Sequence, residues 1–147
     1  MDAMLTWAGW PALAEHAWAY PALEVLHIVG IALLLGNLVL VELRIWGRGA
    51  TLPLRPLAAL ALKVSLVGFA LSASSGLLMF GADPQALLAN PAFQLKLALL
   101  LLAGGNAALF HARDGLGRAD GVARTQTAAS LGLWLGVIVC GRWIAYS

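Results

Sequence analysis

The stretch LEVLHIVGIALLLGNLVLVELRIWG, residues 23–47, decides the fold. It is longer than the roughly 20 helical residues that cross a hydrocarbon core. Its charged residues, Glu24, Glu42 and Arg44, lie near its ends. Its Leu, Ile and Val run continuously, whereas a membrane barrel strand is short and alternates. A lone segment in lipid must also satisfy its own backbone, which only a helix does. The spacing therefore predicts a transmembrane helix over 21–46.

Working outward, three further runs have the same character and are placed at 56–80, 92–111 and 128–145. Gly47, Gly49 and Pro53 follow the first span, Gly81 and Pro84 follow the second, and Pro91 precedes the third. The whole chain of 147 residues is 61% hydrophobic and 11% charged, against roughly 25% charged in soluble domains. With a mean hydropathy of +0.86, a soluble globular protein is excluded. The fold expected is all-α: one integral-membrane domain over 1–147, an up-down four-helix bundle with short connections whose lipid-facing partner is the bilayer.

The net charge of +2 does not indicate a nucleic-acid partner, because the nine basic residues are spread among apolar runs and report topology. Arg44, Arg48 and Arg55 flank the first connection and Arg113, Arg118 and Arg124 the third, while the second holds Asp83 and no basic residue. The positive-inside rule then puts the first and third connections in the cytoplasm and both termini in the periplasm of a bacterial inner membrane. No Lys or Arg precedes the first span, so the start does not read as a cleaved signal peptide. Residues 3–20, with Trp7, Trp10, Trp18, Tyr20, Glu15 and His16, read as a short interfacial helix at the outer surface. Residues 83–90 read as a second one, with Asp83 as N-cap and Pro84 in the first turn. The single cysteine, Cys140, lies in an apolar run and founds neither a disulfide nor a thiolate cluster.

Ionisable groups inside spans are costly and are candidates for function, so the question is which of them share a depth. Near the outer face, Glu24 and His27 open the first span, Lys96 opens the third, and Arg142 lies a turn from the end of the fourth. Met79 is at the same level, and Trp143 and Tyr146 would roof the layer. Its excess of cations beside a histidine suits an anionic group such as a carboxylate or a haem propionate. Toward the cytoplasm, a second polar layer holds Glu42, Arg44, Lys63 and His111. Asn37 and Asn106 lie between the layers at matched depth and are expected to act as interhelical polar glue. Ser72-x-x-x-Gly76 and Gly132-x-x-x-Gly136 have the spacing that lets helix backbones approach, within a monomer or across a homodimer.

Haem ligated by two histidines of one chain is excluded on depth, because His27 and His111 are separated by roughly 20 Å along parallel helices. Haem b at His27 with Met79 as possible second ligand is chemically sound. Copper at the same two residues is the alternative metal. Ser72, Ser74 and Ser75 are read as packing residues with no histidine at their depth to act as a base. No P-loop, dinucleotide fingerprint or HExxH motif is present, so a catalytic constellation is not legible.

The runs 23–47, 90–111 and 133–146, marked by His27, Gly36-Asn37, Glu42 to Arg44, Asn90-Pro91, Lys96, Asn106, His111 and Gly141 to Tyr146, resemble a family of small four-span bacterial membrane proteins classed as a domain of unknown function. In plan the chain is also similar to the membrane part of copper-resistance protein D and to four-helix b-type cytochromes, although it lacks the latter's paired intramembrane histidines. The resemblance implies the fold and an inner-membrane location. The function expected is haem binding and electron transfer at an outer site of His27, Met79, Lys96, Arg142 and Glu24. The alternatives are a copper or small-anion binding or transport accessory, and a structural subunit of a membrane complex.

Overall fold

The structure, a computed structural model, describes residues 15–118, 120–144 and 146. Among the described residues six helices are formed: α1 Ala19–Ile45, α2 Leu54–Ala82, α3 Pro84–Ala89, α4 Pro91–Ala112, α5 Gly115–Arg118 and α6 Gly121–Ile144. The described residues contain no strand. Helices α1, α2, α4 and α6 are each long and apolar enough to span a membrane. Their surface supports that setting: Leu101 is 78% exposed and Leu77 69%, while Glu42, Ser65, Ser75 and Thr127 are buried. An apolar exterior around buried polar groups matches acyl-chain surroundings and inverts the soluble pattern.

The helices form two antiparallel pairs. On α1 and α2, His27 meets Ser72 and Ser75, Gly30 meets Gly68 and Ser72, Leu34 accepts from Ser65, and Val41 and Ile45 pack on Ala58 and Ala61, so the numbering runs in opposite directions. On α4 and α6, Lys96 approaches Gly141, Leu99 packs on Gly136, and Asn106 bonds Gln126. The α1–α2 crossing is a backbone contact. A Cβ on Gly30 would stand 2.6 Å from the Ser72 nitrogen, and one on Gly68 would stand 2.6 Å from the Gly30 carbonyl oxygen. The pairs meet where Phe69 of α2 sets its edge on Trp134 of α6 and where Trp46 donates to Thr127 Oγ1 at 2.7 Å.

The local stops and starts follow from side-chain chemistry. Helix α1 ends in a Schellman motif, with Gly47 at φ 94°, Gly47 N–H on the Arg44 carbonyl and Arg48 N–H on the Leu43 carbonyl. Asp83 accepts from Ala86 N–H and Asn90 from Ala92 N–H, and a proline follows each cap, so α3 and α4 begin where the 83–90 reading places them. The first three spans agree with the sequence reading within about two residues. The fourth does not: α6 starts at Gly121, not 128, because Asp120 Oδ1 accepts from Ala123 N–H at 2.9 Å and caps two polar turns. Of the interfacial segment read over 3–20, residues 3–14 lie outside the described residues. Within the rest, His16 Nδ1 accepts from the backbone N–H groups of Trp18 and Ala19 at the start of α1.

Candidate functional site

At the outer end, His27 projects from α1 across the cleft to α2. Its Nδ1 lies 2.8 Å from the Ser72 carbonyl oxygen and 3.2 Å from Ser75 Oγ. A carbonyl only accepts, so Nδ1 carries the proton and the lone pair resides on Nε2. Ser75 directs its own hydroxyl hydrogen to the carbonyls of Leu71 and Ser72, which leaves its oxygen free to accept from His27. Gly76 provides the space, because a Cβ there would come within 3.3 Å of His27 Cε1. The serines therefore do have a histidine at their depth, contrary to the sequence reading. They hold its ring and are not activated by it.

The remaining outer residues converge less than their depth suggests. Lys96 is half-buried on α4 against Gly141, within electrostatic reach of His27 and Cys140. Arg142 points away: its guanidinium donates to Tyr146 Oη at 2.6 Å and lies over that ring. Trp143 and Tyr146 are exposed, and of the layer's residues it is Arg142 that Tyr146 covers. Glu24 is exposed one turn before His27. Met79 is partly buried one turn beyond Ser75 on α2. The described residues contain no group of three His, Cys, Asp or Glu side chains able to hold a metal ion.

The inner end is more enclosed. Glu42 is 4% exposed, its Oε2 has no hydrogen-bond partner, and its side-chain partner is Ser130 of α6. It borders a cavity of about 70 Å³ between α1, α2, α4 and α6, whose polar wall is Asn106, His111, Gln126, Thr127 and Ser130. Asn106 Nδ2 donates to the Gln126 carbonyl at 2.7 Å, and Gln126 Oε1 accepts from Arg113. Asn37 bonds the Leu33 carbonyl of its own helix, so the two asparagines do not bond each other through their amide groups. His111 is exposed and sets its edge on Phe110 at the cavity border. Lys63 is exposed, and Arg44 Nε donates to the Leu52 carbonyl in the first connection. Of the inner layer read from the sequence, only Glu42 and His111 line the cavity.

Gln126 and Thr127 were missed because the fourth span was started too late, and Ser130, inside that span, because an uncharged hydroxyl does not stand out in an apolar run. Asp120 followed by a small residue was the available signal: a cap there brings residues 126, 127 and 130 onto one helical face. Outside the spans, Asp120 itself has its carboxyl held below the usual range, chiefly by the Ala123 N–H and also by Arg113, which approaches to 3.2 Å. The first and third connections lie at the same end of the molecule, since Arg55 pairs with Asp114 at 3.9 Å. No family model, curated protein or solved structure matches this chain.

Proposed function

We propose that the chain is a four-helix up-down bundle of the bacterial inner membrane that binds haem b at His27 and serves electron transfer. One observation carries the reading: the His27 ring is fixed by Nδ1–H donation to the Ser72 carbonyl, so Nε2 keeps its lone pair. A ligating imidazole is usually held in this way, its second nitrogen tied to a carbonyl that sets tautomer and orientation. The residues fit the group in this respect, and His27 would supply a nitrogen ligand through Nε2. Lys96 is the nearer cation for a propionate, Arg142 being engaged by Tyr146. Met79 would be the second ligand. When bound, the haem supplies a reversible one-electron change at iron, with a potential raised by thioether ligation. The protein's own part is to present Nε2, exclude water with apolar helices and balance propionate charge.

The membrane orientation is supported by the arginines of the first and third connections, which the Arg55–Asp114 pair brings to one end. That end is assigned to the cytoplasm. A reporter fused after Ser147 is expected to behave as periplasmic, and a cytoplasmic signal would reverse the assignment.

The test of the haem reading is a reduced-minus-oxidised visible spectrum of protein purified from cells with ample haem supply. A stoichiometric b-type signal that disappears in His27→Ala is expected, with helicity retained. A flat spectrum from the folded wild-type protein, or a signal indifferent to His27→Ala, would overturn the reading.

A further inference from the structure

We propose that the inner cavity is a proton-exchange site, in which the Glu42 carboxyl takes up a proton from water held beside Asn106, Ser130 and His111 and returns it by the same route. The step balances as carboxylate plus hydronium going to carboxylic acid plus water, and back. It is independent of any group bound at His27, roughly 20 Å away along α1.

Two observations converge on it. Glu42 is more than nine-tenths buried with Oε2 unpartnered, and that side chain borders a partly open cavity of about 70 Å³. The volume accommodates about two water molecules. An ionised carboxylate at this depth needs a counter-charge, and the ion pairs among the described residues, Arg55–Asp114 and Arg113–Asp120, do not include it. The neighbouring charged groups are accounted for. On α1, Arg44 turns to the Leu52 carbonyl, and on α2, Lys63 is exposed. At the end of α4, His111 borders the cavity and Arg113 is spent on Gln126 and Asp120. On α6, Arg124 is exposed.

A metal cation is the poorer occupant. Thr127 Oγ1 accepts from Trp46 and Gln126 Oε1 accepts from Arg113, which leaves too few oxygens for the six or more that hard divalent cations require. A proton needs one oxygen and a hydrogen-bonded water. His111, exposed at the border of the cavity, marks the route to the membrane surface that carries the basic connections.

The test treats the purified full-length protein in detergent with an apolar carbodiimide, which couples to protonated carboxyls in apolar surroundings, and locates the adduct by peptide mass spectrometry. One adduct at Glu42 is expected, declining as pH rises and lost in Glu42→Gln. In parallel, an infrared carboxylic-acid carbonyl band should shift on transfer to D2O and vanish in Glu42→Gln. Should that variant fail to fold, the wild-type peptide map still identifies the residue. Absence of any adduct at residue 42 across the pH range overturns the proposal, as does an acid band that D2O leaves unshifted. Protection from the carbodiimide by sodium or potassium, but not by choline at equal ionic strength, would overturn it in favour of a cation site.

Discussion

The two ends of the molecule hold comparable sets of ionisable residues and use them in opposite ways. At the outer end Glu24, Arg142 and Tyr146 are exposed, and Arg142 is satisfied by Tyr146 just past the end of its own helix. At the inner end one carboxyl is enclosed by groups from facing helices, and the contacts cross between the pairs: Glu42 to Ser130, Trp46 to Thr127. Equal depth is therefore insufficient for a site. The azimuth of each side chain around its helix decides, and the polar seam forms where α1 faces α6.

The comparison can be broken first at the scaffold both ends share. Gly30→Leu would drive a side chain into the backbone of α2, and a loss of about 3 kcal/mol is expected in thermal or denaturant unfolding in detergent. Gly132→Leu, with nothing within 4 Å of its Cβ position, should change little. Equal losses would show that the glycine crossing is not what joins α1 to α2. Next comes the seam: Thr127→Val removes the acceptor of the Trp46 indole and should lower stability by about 1 kcal/mol. Combined with Trp46→Phe, it should add little more, and full additivity would mean the two do not interact.

A smaller effect sharpens the contrast between helix-bridging and local polar bonds. Asn106→Ala breaks a bond to α6 and should cost about 0.6 kcal/mol, whereas Asn37→Ala loses a bond to its own helix and should be near neutral. The reverse order in unfolding experiments would refute the assignment. The smallest expected effect is local and depends on pH. Because the Asp120 carboxyl is held below its ordinary value, its cap is complete above pH about 3.9 and is lost as pH falls through the lowered value. The protection of the Ala123 amide from hydrogen exchange, relative to its intrinsic rate at each pH, should fall in that acid range, and in Asp120→Ala it should be low at every pH.

The sequence made the spans legible because hydropathy and the caps at Asp83 and Asn90 act locally. It did not reveal which face each helix turns inward. Nearly uniform apolar helices carry little angular signal when lipid and neighbouring helices are equally apolar. His27 was recognised, but its support by Ser72 and Ser75 depends on the α1–α2 register, which Gly30 and Gly68 set. The polar turns of α6 read as loop because Arg124, Thr125, Gln126 and Thr127 lower the hydropathy there. Their hydrogen bonds to Trp46, Asn106 and Arg113 explain why they are helical.

The unequal division of contacts between the pairs bears on how the chain is made. The α1–α2 hairpin needs only its own backbones to close and can form while the rest is still being synthesised. Until α6 enters the bilayer, however, Glu42 and the Trp46 indole lack their α6 partners. A nascent or truncated chain ending before Gly121 therefore lacks the contacts that enclose a carboxyl in the membrane, and its earliest hairpin depends on its last helix for protection.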